Sequence, residues 1–121
     1  MRRENIRNIV VFEDHFKNFK RNLDKNTLKK IYQVFILIMS VKDVPVKFLK
    51  AITNVKGLYE IRVEEAGNIY RIFCCFDEGN LVILLNGFQK KTQRTPANEI
   101  EKASALMNKY FEQKKKVAHE K

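Results

Sequence analysis

Basic side chains recur along three successive apolar segments in the second half of the chain. Arg62 lies in the first segment, Arg71 lies in the second, and Lys90 and Lys91 stand at the end of the third. Successive side chains of a β-strand point to opposite faces, so a hairpin turn around Gly67 would place both arginines on one face of a sheet. Neighbouring cations on a sheet repel each other unless an anion binds between them. This spacing therefore predicts a surface for phosphate.

The same alternation assigns further side chains to the arginine face. With a second turn near Gly79, the residues Asn86, Phe88 and Lys90 fall on it. Glu60, two residues before the first arginine, falls there as well. We expect this face to be open to solvent where it carries the arginines, and the opposite face to pack against helices.

If the phosphate belongs to RNA, one reaction to weigh for these residues is cleavage through the 2′-hydroxyl of the RNA, which is what the family resemblance described below implies. That reaction needs a base for the hydroxyl, a cation for the phosphate and an acid for the leaving 5′ oxygen. Arg71 is the candidate for a bidentate grip on the phosphate, although an ordinary sheet arginine would reach solvent or pair with Glu64. Arg62 is a second candidate, unless Glu60 simply neutralises it. Glu60 fits an ion-pair partner and a base equally well.

The lysines at the end of the third segment have several available roles. A lysine with its ordinary pKa of about 10.4 is a poor base near neutral pH, so neighbouring cations would have to lower the pKa of Lys90 or Lys91. Otherwise either lysine acts as an acid or as an electrostatic clamp. Phe88 could stack on a nucleobase, although a phenylalanine at a strand end more often belongs to the core.

Histidine and metal chemistry are not expected. His15 falls in the first predicted helix and His119 in the C-terminal tail, far apart in the chain. The acidic pairs Glu64–Glu65 and Asp77–Glu78 sit at predicted turns and do not form a cluster with ligand spacing. We therefore expect cationic chemistry without a metal or a cofactor.

The totals indicate one globular domain, residues 1–121. The net charge of +10, from 24 Lys and Arg against 14 Asp and Glu, points to a polyanionic partner, although lysines spread over the first half would also keep a protein soluble. Cys74 and Cys75 are adjacent in a strand and point to opposite faces, which disfavours a disulfide, and two cysteines with no histidine nearby are not a zinc site. No apolar run is long enough for a signal peptide or a membrane span, so we expect a cytoplasmic protein.

Hydrophobic periodicity predicts an α+β order of elements. In chain order these are a strand at Ile9–Phe12, a short helix from Phe12 to Leu23, a longer helix that Asp24 caps and Pro45 follows, a connector at Val46–Lys56, strands at Leu58–Glu64, Ile69–Phe76 and Leu81–Phe88, and a helix that opens at Thr95–Pro96. The nearly apolar last strand favours an interior position in the sheet. Residues 113–121 are predicted as a frayed basic tail. The predicted core face carries Tyr59, Ile61, Val63, Tyr70, Ile72, Cys74, Phe76, Ile83 and Leu85.

Three segments, Gly57–Val63, Tyr70–Phe73 and Leu84–Pro96, carry a family resemblance. They resemble the HigB group of the RelE/ParE superfamily, the toxins of bacterial type II toxin–antitoxin modules, which are often described as phage-derived proteins. The most specific part is the run Phe-x-Lys-Lys-Thr-x-x-Thr-Pro that ends at Pro96. Some HigB toxins carry a histidine near the end of the last strand. This chain has none there, so it is more similar to RelE-like relatives that rely on lysine and arginine.

The resemblance implies a compact α+β fold of the microbial-ribonuclease type, with two N-terminal helices on an antiparallel sheet and a C-terminal helix. It also implies ribosome-dependent cleavage of mRNA, restrained by a helix-turn-helix antitoxin of the HigA type. The catalytic residues would be Arg62, Arg71, Lys90 and Lys91. The residues that contact RNA would be Glu60, Asn86, Phe88 and Arg94.

Two other functions are compatible with the same residues. A ParE-like protein has this fold and inhibits DNA gyrase by binding, but it needs no cluster that grips phosphate. A plain RNA-binding module would explain the charge, but such modules expose aromatic rings for stacking on bases, and few are expected here. The cationic face therefore favours cleavage.

Overall fold

The computed structural model describes residues 5–91 and 94–120, with the backbone only for 119 and 120. The fold is α+β, with a five-stranded sheet in the order β1-β5-β4-β3-β2. The elements are β1 (Asn8–Val11), α1 (His15–Lys20), α2 (Lys25–Ser40), β2 (Leu49–Ala51), β3 (Leu58–Glu65), β4 (Asn68–Asp77), β5 (Leu81–Lys90) and α3 (Ala97–Glu120). Strand β5 is interior, as predicted. Because β1 runs parallel to β5, the sheet is mixed and not wholly antiparallel.

Helix α2 begins and ends on identifiable polar contacts. The backbone N–H of Thr27 donates to Oδ1 of Asp24 at 2.7 Å, which confirms the predicted N-cap. At the other end the chain leaves the helix after Ser40. The guanidinium of Arg7 donates to three carbonyl oxygens there, those of Ile38 at 2.9 Å, Val41 at 2.7 Å and Lys42 at 2.7 Å. A cation and donors at a helix C-terminus satisfy carbonyls that have no partner within the helix.

The first hydrophobic core lies between helices α1 and α2 and one face of the sheet. Its buried members are Phe16, Ile31, Val34, Phe35, Ile38, Ile61, Val63, Tyr70, Ile72, Cys74, Val82 and Leu84. The predicted core face is confirmed for β3 and β4. It is wrong for Ile83 and Leu85, which belong to a second core on the opposite face.

A register shift between β4 and β5 explains this error. Ile72 pairs with Gly87, whereas Cys74, two residues further along β4, pairs with Leu84, three residues back along β5. The extra residue in β5 forms a bulge, and beyond it the side chains of β5 exchange faces. Alternation alone carries no signal for such an insertion.

Helix α3 covers the second face of the sheet. The buried residues of this second core are Leu58, Phe73, Cys75, Ile83, Leu85, Ala103, Leu106 and Met107. Both faces are therefore packed, and Cys74 and Cys75 are free thiols buried on opposite sides. Within the described ranges, no helix combines the length and apolar character needed to cross a membrane.

The boundaries of α3 differ from the predicted ones. The helix begins at Ala97, and the carbonyl of Pro96 accepts hydrogen bonds from the N–H groups of Glu99 and Ile100, so Pro96 precedes the helix instead of opening it. Helix α3 continues to Glu120, so the part of the predicted tail that the structure describes is helical.

The predicted connector contains an additional edge strand, β2. Leu49 pairs with Ile61, Lys50 with Glu60 and Ala51 with Tyr59, all antiparallel. Three residues are too few to produce a clear alternation, so the sequence did not predict this strand. Its position matters because it brings a lysine opposite Glu60.

Candidate functional site

The sheet register places the two arginines side by side. Arg62 in β3 is the direct partner of Arg71 in β4, and Phe88 in β5 is the next partner of Arg71. Direct partners in neighbouring strands point to the same face, so these three residues share a face, as predicted. The bulge lies beyond Phe88 and does not disturb this part of the sheet.

The carboxylate of Glu60 lies between the two guanidinium groups. Its Oε1 is 3.6 Å from Nε of Arg62 and 3.8 Å from Nε of Arg71. These distances are within range for ion pairing but are too long for hydrogen bonds. An anionic oxygen is therefore attracted by two cations without being held by a directed bond to either Nε.

Three polar atoms in this region are buried and have no hydrogen-bond partner among the described residues. They are Oε2 of Glu60, Nε of Arg71 and Oδ1 of Asn86. Buried polar atoms in folded proteins are nearly always paired, because leaving one without a partner costs about 1–3 kcal/mol. A cluster that combines a free carboxylate oxygen with a free guanidinium N–H is suited to a ligand that offers both a donor and an anionic acceptor.

Arg71 is far more enclosed than the sequence analysis predicts. It is 3% exposed, so the expectation that it faces solvent is wrong, because α3 packs on this side of the sheet. Its Nη1 donates to the carbonyl of Tyr70 at 3.1 Å. Burial lowers the pKa of Arg71, the charge of Arg62 lowers it further, and the carboxylates of Glu60 and Glu64 oppose this change. The guanidinium remains a cation, since even a lowered arginine pKa lies far above neutral.

Lys90 lies close enough to this cluster to be influenced by it. Partial burial lowers its pKa, the charge of Arg71 lowers it further, and Arg62 and Lys50 act in the same direction, while Glu60 opposes them. Lys91 follows the end of β5 and is exposed. Lys90 pairs with Ile69 in β4, two residues from Arg71 and therefore on the same face of the sheet, and the catalytic roles of both lysines stay predictions.

Lys50 is a cation of this site that the sequence analysis missed. It lies in β2 directly opposite Glu60, and both line a cleft of about 620 Å³ next to the sheet edge. We call this the main cleft. It is lined by Lys50, Ala51, Ile52, Thr53, Asn54, Glu60, Arg94, Thr95 and Ile100. In the sequence, Lys50 falls within the predicted connector Val46–Lys56, and no pattern there links it to Glu60.

Asn86 and Phe88 have structural contacts in this conformation. Nδ2 of Asn86 donates to the carbonyl of Glu99 at 3.3 Å, which ties β5 to the first turn of α3. Asn86 is 2% exposed. The ring of Phe88 stacks on Phe73 with a centroid distance of 5.7 Å and packs on the second core. Their contact with RNA stays a prediction.

The remaining candidates lie at the margins of the site. Arg94 is exposed and lines the main cleft together with Glu60. Thr92 and Gln93, which belong to the run with the family resemblance, lie outside the described residues, as does the side chain of His119. Nε2 of His15 is 3.1 Å from a carboxylate oxygen of Glu13, away from the arginines.

The described part of the chain contains no group of three or more His, Cys, Asp or Glu side chains arranged to hold a metal ion. Its polar cluster instead combines a carboxylate with one unpaired oxygen, two guanidinium groups and a lysine with a lowered pKa. These groups can accept a proton, neutralise a phosphate and donate a proton.

Comparison with protein families gives a match over most of the chain. The model described as "Phage derived protein Gp49-like (DUF891)" matches residues 18–108, which is about three quarters of the chain. No curated protein shows significant similarity to this chain. The matched family is of the RelE toxin–antitoxin type, so the resemblance seen in the sequence is confirmed at that level, while membership of the HigB group stays a prediction.

Proposed function

We propose that this chain, which belongs to the family of Gp49-like phage-derived proteins, is a toxin that cleaves mRNA on the ribosome. The family supports a toxin of a toxin–antitoxin pair. The observation that carries the proposed chemistry is Glu60, held between Arg62 and Arg71 with one carboxylate oxygen unpaired.

In the proposed first step, the scissile phosphate takes the position that the Glu60 carboxylate holds in the free protein. Two guanidinium nitrogens already face that position, and neither makes a hydrogen bond to the carboxylate. Phosphate carries more oxygens than a carboxylate, so it can bond to both arginines at once. Glu60 lines the main cleft and Arg71 does not, so displacement of the carboxylate is what brings Arg71 into contact with the substrate.

The displaced carboxylate then acts as the base. It accepts the proton of the 2′-hydroxyl, the 2′ oxygen attacks the phosphorus, and the bond from phosphorus to the 5′ oxygen breaks. Lys90 gives a proton to the leaving oxygen, for which its lowered pKa suits it better than an ordinary lysine. The products are a 2′,3′-cyclic phosphate and a 5′-hydroxyl. Glu60 then releases its proton to solvent and Lys90 takes one up from solvent, so both groups return to their starting protonation states.

The arginines contribute by stabilising the charge that builds on the phosphate. Removing a single such donor typically costs a factor of about 10²–10³ in rate. General acid–base groups contribute about 10²–10⁴ each. We propose that Lys50 and Arg94, which line the main cleft, hold the flanking RNA backbone.

We further propose that a cognate antitoxin of the helix-turn-helix type restrains this activity. The support is the toxin–antitoxin character of the matched family. A small reading frame for such a protein next to the gene, and a complex of the two proteins after co-expression, are the expected findings.

The test is induced expression without an antitoxin, followed by mapping of new transcript ends. We expect growth arrest and cleavage within translated codons, with 5′-hydroxyl ends. A reporter transcript that lacks a ribosome-binding site should stay intact. Transcripts that stay intact while DNA supercoiling fails would favour a gyrase inhibitor instead. New ends that carry a 5′-phosphate would exclude attack by the 2′-hydroxyl.

A further inference from the structure

A second cleft opens on the other side of Arg62, and we call it the edge cleft. It has a volume of about 190 Å³. It is lined by Lys30, Lys47, Phe48, Arg62 and Glu64. These residues come from α2, from the segment before β2 and from β3, so three separate parts of the chain form it. Three of the five lining residues are cations and one is a carboxylate, so the edge cleft is basic.

The two clefts meet at one ion pair. Glu60 lines the main cleft, Arg62 lines the edge cleft, and the two side chains approach to 3.6 Å. The side chain of Arg62 is 28% exposed, against 4% for that of Arg71. Arg62 therefore stands at the boundary of both clefts, where it can contact a ligand that extends across them.

Two cations of the edge cleft, Arg62 and Lys47, make local contacts at its rim. Nη1 of Arg62 lies 3.5 Å from the carbonyl of Val46, at the outer limit of a hydrogen bond. Nζ of Lys47 lies 5.6 Å from the ring centroid of Phe48, within range of a cation–π interaction. Lys30 is half-buried on α2. An ammonium group restrained beside a concave surface loses less freedom on binding an anion than one in open solvent.

We infer that the edge cleft is a second backbone subsite, which binds the phosphate next to the one at Glu60 and Arg71 in a single RNA strand. Arg62 lies between the two phosphates, and Lys30 and Lys47 bind the outer one. This inference rests on the proposed function, because it takes RNA as the ligand of the main cleft. A single strand can follow the path because its backbone is flexible, whereas a duplex is stiff over such distances.

The experiment is a titration of the protein with 2′-O-methyl RNA oligonucleotides of two to five nucleotides, in which binding is measured from the amide NMR chemical shifts of the protein. The 2′-O-methyl group prevents cleavage. For the native chain we expect affinity to rise with length, and the step that fills the edge cleft to move the amide signals of Phe48 and Arg62. That step should raise the affinity by up to about fivefold at low salt, as an exposed ion pair does.

The decisive variant is Lys30→Ala/Lys47→Ala, and its matched control is Lys25→Ala/Lys116→Ala, which removes two exposed lysines and the same charge. We expect only the first variant to lose that step. In this variant the slope of log affinity against log salt should also become less steep by about 0.7, the value for one phosphate of a single strand. Equal losses in both variants at every length, or no loss in either, would overturn the inference.

The outcomes separate this inference from the proposed function. If affinity rises with RNA length through Lys30 and Lys47 but the protein does not cleave mRNA, the inferred subsite stands and the proposed nuclease activity is wrong. If the protein cleaves mRNA on the ribosome but shows no such rise in affinity, the proposed nuclease activity stands and the inferred subsite is wrong.

Discussion

At the scale of single residues, the site depends on charges that are enclosed and incompletely paired. Glu60 and Arg71 are 6% and 3% exposed, yet their closest nitrogen–oxygen approach of 3.8 Å is longer than a hydrogen bond. Burying such a pair costs more than its attraction returns unless hydrogen bonds complete it. In the proposed site, a phosphate ligand offers Arg71 the hydrogen-bond acceptor that it lacks in the free protein.

The first prediction concerns Arg71. Arg71→Ala should abolish toxicity and also lower the free energy of unfolding, by about 3 kcal/mol, because it leaves Glu60 enclosed without this partner. Arg71→Lys should retain most of the stability, since the positive charge remains, but cleavage should still fall about 10²-fold because an ammonium lacks the planar fork. The measurements are denaturant unfolding and cleavage on programmed ribosomes. If Arg71→Lys cleaves mRNA at the native rate, the proposed bidentate grip of Arg71 on the phosphate is wrong.

The second prediction separates a base from an ion-pair partner. Glu60→Gln retains the shape of the side chain but cannot accept the hydroxyl proton, so cleavage should fall about 10²–10⁴-fold. Binding of a 2′-O-methyl oligonucleotide should stay equal or become tighter, because one negative charge leaves the cleft. Glu101→Gln, an exposed change on α3 with the same charge difference, serves as the control. Loss of cleavage that is matched by an equal loss of binding would contradict the role of base.

At the scale of elements, the sequence predicted most of the fold but not the details that complete the site. The helices, β1 and the three-stranded meander follow from periodicity, and Asp24 follows from cap chemistry. The alternation rule also placed Arg62 and Arg71 side by side. Two features were not predictable. The bulge in β5 inserts one residue that the alternation of side chains does not reveal, and β2 is an edge strand of only three residues. The presence of Lys50 opposite Glu60 follows from β2, and the burial of Arg71 follows from the packing of α3 on this face of the sheet.

A polar cluster at the end of β4 attaches helix α3 to the sheet, in addition to its apolar contacts and the Asn86–Glu99 hydrogen bond. Asp77 at the end of β4 accepts hydrogen bonds of 2.6 Å from the hydroxyl of Tyr110 and from Nζ of Lys114. These bonds lower the pKa of Asp77, and burial together with Asp77 raises the pKa of Tyr110 to about 12. Because α3 covers the face that holds the arginines, this attachment also supports the site.

The third prediction is that Asp77→Asn lowers the melting temperature by several degrees at neutral pH. The folded-state pKa of Asp77 is lowered, so its stabilising effect is full above the ordinary aspartate pKa of about 3.9 and disappears as the pH falls through the lowered value. The two proteins should therefore converge in stability in acid. Glu112→Gln, which alters an exposed pair of α3 with Lys115, should change little at any pH. A difference that persists in acid would show that Asp77 acts through packing and not through charge.

At the scale of the whole molecule, the net charge of +10 favours binding to RNA but does not by itself accelerate cleavage. Binding the substrate and the transition state equally well leaves the chemical step unchanged. In the proposed reaction the scissile phosphate has to displace the enclosed carboxylate of Glu60 before it meets Arg71. A flexible RNA in free solution rarely presents its 2′-hydroxyl in line with the phosphate at that position.

The last prediction is that the purified protein cleaves free mRNA poorly and cleaves the same mRNA efficiently on programmed ribosomes. A decoding site that holds the codon in a fixed, splayed conformation supplies the positioning, and well-oriented groups reach effective molarities of about 10⁵ M or more. The measurement compares single-turnover cleavage rates with and without ribosomes at one magnesium concentration, using Glu60→Gln as the inactive control. An mRNA with a single 2′-deoxy nucleotide at the mapped site should resist cleavage in both conditions. Rapid cutting of free mRNA by the native protein but not by Glu60→Gln would show that the cleft positions its substrate unaided, and ribosome dependence would be wrong.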